Sequence, residues 1–109
     1  MQRITIQPAS GLRGSPIIPG DKSISHRSLI FGAIAEGKTQ IKGLLNSADV
    51  QSTQNCLKEL GVTFAKQEND LIVEGKGLHG LQAPDNSLDC GNSGTTIRLL
   101  MGLLSGQSF

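Results

Sequence analysis

A chain of 109 residues with net charge +1, 37% hydrophobic and 17% charged, has the size and apolar mass of one small domain. Its aromatics are three phenylalanines (Phe31, Phe64, Phe109), too few to stack nucleic-acid bases, and its ten Lys and Arg form no basic stripe. No apolar run approaches the about 18 residues of a membrane span, and two lone cysteines, Cys56 and Cys90, read as reduced and buried. These features predict a soluble, cytoplasmic chain with neither nucleic acid nor membrane as partner.

Residues 3–7 alternate apolar and polar, the period of a half-buried strand, and Pro8 ends it. A Gly-containing linker to Ser15 follows, then a very short strand at Ile17 and Ile18, closed by Pro19 and Gly20. A first helix is predicted from Asp21 or Lys22 to Ala35. Asp21, Ser23 and Ser25 offer cap chemistry, Leu29, Ile30, Ala33 and Ile34 form the apolar arc, and Gly37 stands as the glycine after its end. Residues 39–42 read as a strand.

A second helix opens at Ser47 or Asp49, carries Val50, Thr53, Leu57 and Leu60 on one face, and ends at Gly61. Residues 62–65 and 71–74 form a hairpin across a polar tip. After a glycine-rich connection, residues 88–90 read as a strand and Asn92 or Ser93 as the cap of a third helix. From residue 16 onward the order is thus βαβαββ, followed by the start of another such cycle. The last helix is apolar on every side, which calls for cover all round and points to a fragment or to one piece of a larger assembly.

Pro19-Gly20-Asp21-Lys22-Ser23-Ile24-Ser25-His26-Arg27 is the stretch richest in chemistry. A helix start offers unpaired amides and partial positive charge, Lys22 adds a full charge, and Ser23 adds a hydroxyl. Arg27, four residues after Ser23, shares its face and brings a planar fork suited to phosphate or carboxylate. The bland alternative is a capping serine and two cations on a solvated face. His26 falls on the apolar arc and reads as a hydrogen-bonded core histidine.

Asp89-Cys90-Gly91-Asn92-Ser93-Gly94-Thr95-Thr96 is a second small, polar turn before a helix, able to form an anion nest. It lacks the lysine of a Walker loop. Arg98, inside the apolar helix, reads as a charge paired with a buried carboxylate. Asp49 is read as the cap of the second helix, with a second option of orienting Lys22.

Together the two stretches, Pro19 to Arg27 and Gly91 to Arg98, resemble the N-terminal signatures of the 5-enolpyruvylshikimate-3-phosphate synthase (3-phosphoshikimate 1-carboxyvinyltransferase) family. With Leu99 where better-known members have Pro, the chain is similar to the second, more divergent class. The resemblance implies an α/β fold of βαβαββ repeat units, the inverse α/β barrel of enolpyruvyl transferases, here as a partial domain. Residues 1–15 would be a strand and hinge segment of the second domain, residues 16–80 the first unit, and residues 81–109 the start of a further, truncated one.

The activity implied is transfer of the enolpyruvyl group of phosphoenolpyruvate to the 5-hydroxyl of shikimate 3-phosphate, in the route to aromatic amino acids. The hydroxyl adds to C2 as C3 is protonated, and the tetrahedral intermediate expels phosphate. By resemblance Lys22 contacts both substrates and is the catalytic candidate, Ser23 and Arg27 hold shikimate 3-phosphate, and Asn92, Gly94 and Thr95 belong to the phosphoenolpyruvate site. Asp49 stands in a second tier. No metal or organic cofactor is implied, the partners are two small anions and the remainder of the polypeptide, and Gly94 predicts a pocket that admits glyphosate.

The isolated chain is expected to be inactive, since the proton-moving groups of the family lie further along. A UDP-N-acetylglucosamine enolpyruvyl transferase would carry Asn after the lysine, where this chain has Ser23. A non-catalytic anion-binding module is the reading from a different class.

Overall fold

The computed structural model describes residues 1–109. Helix α1 (Lys22–Ile34) is capped by Asp21, whose carboxylate accepts the Ile24 amide at 2.8 Å. It buries Ser25, His26, Leu29, Ile30, Gly32 and Ala33, the arc expected from a 3.6-residue period. Helix α2 (Ala48–Glu59) is capped by Ser47 and buries Val50, Thr53, Cys56 and Leu57. It ends in a Schellman turn. Gly61, at φ +90°, lets the Val62 amide reach the Leu57 carbonyl (3.0 Å) while its own amide reaches Lys58 (2.9 Å).

Strands β1 (Glu36–Ile41), β2 (Thr63–Gln67) and β3 (Asp70–Lys76) form a sheet in the order β1-β3-β2, antiparallel at both pairings. The register sets Thr39 and Phe64 opposite Val73, and Ile41 opposite Leu71. Those side chains face the helices, and Leu71 and Val73 are buried there. On the other face Lys38 pairs with Glu74 at 3.5 Å, and the Gln40 amide donates to Asp70 at 2.7 Å. The sheet is therefore apolar toward α1 and α2 and polar away from them, as an antiparallel sheet with one covered face should be. Leu29, Leu57, Leu60, Val50 and Val73 are the fully buried aliphatic centre, each contributing about 1.5–3 kcal/mol by leaving water.

Several expectations are corrected. Residues 3–7 and 17–18 form no strand: the chain from Met1 to Pro19 is irregular, bent at Ser10 and Gly14, and exposed, and no strand of the sheet pairs with it. Alternation makes a strand only where a neighbour supplies the ladder. The unit seen here is accordingly αβαββ, without its predicted first strand. Residues 88–90 are likewise irregular. They are held by burial of Leu88 and Cys90 against the core and by the Cys56 thiol, which donates to the Asp89 carbonyl at 3.3 Å. Burial, reinforced by Cys90, pushes the Cys56 thiol up to about 12, so it stays protonated at neutral pH.

Helix α1 ends one residue early, with Ala35 as its cap, and Gly37 lies inside β1 rather than after a helix. Asp49 is not the cap of α2, a place that Ser47 takes. Helix α3 (Gly94–Leu104) buries only Thr96 and Leu100, along the line where it meets α2. Its Ile97 and Met101 are exposed at 47% and 66%, so this all-round apolar helix is covered on one side within the 109 residues. No helix is long and apolar enough to cross a membrane.

Candidate functional site

Gly20 seats the first motif. A Cβ there would collide with the Gly43 carbonyl and lie 3.2 Å from the Leu45 amide. Only glycine lets the segment pass so close to the loop after β1. Ser25 holds the same loop from the other side, its hydroxyl accepting the Leu45 amide at 3.0 Å. With Asp21 taking the Ile24 amide, the first backbone bond of the helix runs from Ser25 to Asp21 (3.0 Å). The amides of Lys22 and Ser23 precede it and remain available to a ligand. Lys22, Ser23 and Arg27 are all exposed, and Arg27 has no carboxylate within ion-pair distance. Three donors of the predicted set thus share one open helix start.

Helix α3 repeats the arrangement. Ser93 is buried, and its hydroxyl accepts the Thr96 amide at 3.1 Å. The amides of Gly94 and Thr95 are left at the helix start, with Asn92 exposed beside them. Asp89 shapes the turn by accepting the Gly91 amide at 2.8 Å. Arg98 is exposed and has no carboxylate partner, against the sequence reading of a buried pair. Its guanidinium instead lies over Gly94, where a Cβ would stand 3.1 Å from Nη2 and 3.2 Å from Nη1. A guanidinium one turn after an unpaired helix start adds a cation to it. The signal was visible in the four-residue spacing from Gly94.

Asp49 joins the two starts. Its carboxylate pairs with Lys22 Nζ at 3.3 Å, and its backbone carbonyl accepts the Thr96 hydroxyl at 3.3 Å. The ion pair is half exposed and fixes a direction more than it stabilises, at about 0–1 kcal/mol. Beneath it lies a buried row of side chains. His26 Nδ1 meets Thr53 Oγ1 at 2.7 Å, Thr53 Oγ1 meets Thr96 Oγ1 at 2.7 Å, and Thr96 Oγ1 meets Ser93 Oγ at 2.7 Å, the one Thr96 hydrogen going either to that oxygen or to the Asp49 carbonyl. His26 is fully buried, as its place on the apolar arc implies.

Burial lowers the His26 pKa from its ordinary 6.5, with Lys22 and Arg27 acting in the same sense and Asp49 against them. A depressed folded-state pKa means the unfolded chain takes up the proton first as pH falls. The contribution of neutral His26 to stability is therefore complete above about pH 6.5 and is lost as pH drops below it. Thermal melts of the chain from pH 7.5 to 5 should show a falling midpoint, and His26→Asn should flatten that segment; equal slopes would count against this.

Two exposed, cation-bearing helix starts meeting at one acidic residue give this α/β unit the geometry and charge to receive anionic ligands. The comparisons give it a family. The EPSP synthase (3-phosphoshikimate 1-carboxyvinyltransferase) profile matches residues 6–109. A 3-phosphoshikimate 1-carboxyvinyltransferase of Streptococcus uberis is 62% identical over 101 residues, 93% of this chain and 24% of that one. One from Bacillus cereus is 57% identical over 110 aligned residues, 100% of this chain and 26% of that one. The solved EPSP synthase of Acinetobacter baumannii superposes with a TM-score of 0.81 at 46% identity, over 88% of this chain and 22% of that one. The chain belongs to the EPSP synthase family, and it spans about a quarter of the length of the curated relatives it matches.

Proposed function

We propose that the full-length protein transfers the enolpyruvyl group from phosphoenolpyruvate to the 5-hydroxyl of shikimate 3-phosphate, releasing phosphate, in the cytoplasm. This chain supplies part of the surface that receives both anions. The observation that carries the reading is the convergence of two cation-bearing helix starts on Asp49, through Lys22 at 3.3 Å and Thr96 at 3.3 Å. The names of its relatives, 3-phosphoshikimate 1-carboxyvinyltransferases, supply the chemistry.

In this reading Ser23 and Arg27 hold shikimate 3-phosphate, Arg27 by its planar fork. Asn92, Gly94 and Thr95 receive phosphoenolpyruvate at the start of α3, where the unpaired amides favour a dianion. Lys22 lies between the two and stabilises negative charge on the tetrahedral intermediate and the departing phosphate. Asp49 aims its ammonium. Residues 1–15 belong with a second domain, residues 16–80 form the first repeat unit, and residues 81–109 open another. The remainder of the polypeptide covers the exposed sides of α1 and α3.

Phosphate release from phosphoenolpyruvate, dependent on shikimate 3-phosphate, tests the proposal. The full-length protein should turn over and the 109-residue chain should not. Absence of turnover by the first, or turnover by the second, overturns the reading.

A further inference from the structure

The buried row His26–Thr53–Thr96–Ser93 belongs to no ligand contact, yet it ties α1, α2 and α3 together directly beneath the two helix starts. Its partners are 27 residues apart between His26 and Thr53, and 43 between Thr53 and Thr96. His26, Thr53 and Thr96 are each fully buried, and Ser93 is 3% exposed. Four polar side chains buried together at 2.7 Å spacing form a satisfied network with a single exception, His26 Nε2, which has no partner.

That exception sets the direction in which the hydrogens run from His26 through Thr53 to Thr96. Were the proton on Nε2, a buried N–H would have no acceptor, a rarer and costlier defect than an unfilled lone pair. With the proton on Nδ1, the imidazole donates to Thr53, Thr53 donates to Thr96, and Thr96 donates to Ser93 Oγ or the Asp49 carbonyl. The hydrogens of His26, Thr53 and Thr96 are then all used. The terminal acceptors are the cap of α3 and the residue whose carboxylate holds Lys22.

We propose that His26, Thr53 and Thr96 are positioning residues: their one-way row of hydrogen bonds fixes the start of α3 relative to Lys22, and so sets the affinity for phosphoenolpyruvate. The second half of this statement rests on the function proposed above; the first does not. Van der Waals packing alone would be a poor substitute. Apolar burial is non-directional, whereas a buried hydroxyl that loses its partner is penalised. Because Thr96 also occupies the position whose amide is capped by Ser93, any shift of its side chain is passed to the amides of Gly94 and Thr95.

Two arms test this. In the 109-residue chain, nitrogen NMR of His26 should show the proton on Nδ1. Thr53→Val should displace the amide signals of both Lys22–Ser23 and Gly94–Thr95, while Thr63→Val on the exposed sheet face should leave them in place. A proton on Nε2, or unmoved Gly94 and Thr95 amides, overturns the row as a positioning device.

In the full-length protein, Thr53→Val and Thr96→Val should each raise KM for phosphoenolpyruvate about tenfold, the scale of one lost buried hydrogen bond. Thr53→Ser and Thr96→Ser, which keep the hydroxyl, should stay within about twofold. A merely structural loss would instead lower kcat through fewer folded molecules, at unchanged KM. That result, or Ser variants as impaired as the Val variants, overturns the proposal. A wild-type protein without turnover would count against the proposed activity alone, and the NMR arm would then decide the row.

Discussion

Lys22→Met in the full-length protein should lower kcat/KM by roughly 30- to 1,000-fold, a loss of about 2–4 kcal/mol of transition-state stabilisation. The argument starts from what Lys22 is not doing. Its side chain is 52% exposed and makes one half-exposed ion pair with Asp49, so the fold depends on it very little. Thermal stability should therefore change by under about 1 kcal/mol, and the two measurements together separate a lost charge from a lost fold. Asp49→Asn should move activity in the same direction but less, because the amide still accepts a hydrogen bond from the ammonium while no longer holding it by charge. Lys22→Arg is not expected to rescue, since a planar fork does not reproduce a point charge. A decrease below about threefold for Lys22→Met would remove Lys22 from the catalytic role proposed for it.

What was legible in the sequence follows the range of the interactions involved. α1 and α2 are set by local periodicity, and their ends by residues within one turn, which is why Leu29, Ala33, Val50 and Leu57 fall where the pattern puts them. The Gly61 turn and the β2–β3 hairpin are equally local. The cap of α1 was ambiguous because three cap-forming side chains occur within five residues. Only the backbone geometry at Asp21, extended at φ −69° and ψ 137°, selects among them. Residues 3–7 and 17–18 failed as strands for a different reason: their alternation is real, but a ladder is a property of two segments.

The site divides along the same line. The donors at each helix start could be read from six- to eight-residue stretches. What the stretches do not contain is the relation between them. The contact of Lys22 with Asp49 spans 27 positions, and that of Thr96 with Asp49 spans 47. His26 lies in the core as its helical position implies, yet its one partner, Thr53, lies on another helix 27 positions away. Arg98 was misread because an arginine in an apolar run suggests a buried charge. The exposure of α3 on that side makes the ordinary reading, an accessible guanidinium, the right one.

Gly94→Ala is the sharper probe of the proposed phosphoenolpyruvate site. Gly94 opens α3 and its φ is not in the left-handed region, so alanine suits the backbone and stability should not fall. The new methyl would sit 3.1–3.4 Å from the Arg98 guanidinium, close enough to force its flexible end aside by a few tenths of an ångström. It would also stand beside the two amides proposed to receive the anion. Crowding of this kind costs about 1–3 kcal/mol, or roughly 5- to 150-fold. KM for phosphoenolpyruvate should rise by that factor in the full-length protein, the KM for shikimate 3-phosphate should move much less, and the inhibition constant of glyphosate should rise as well. Arg98→Ala combined with Gly94→Ala should not restore affinity, because removing the guanidinium relieves the crowding but also deletes a cation at the helix start. If Gly94→Ala leaves both the phosphoenolpyruvate KM and the glyphosate constant unchanged, the anion does not approach at Gly94. The start of α3 would then be a structural turn.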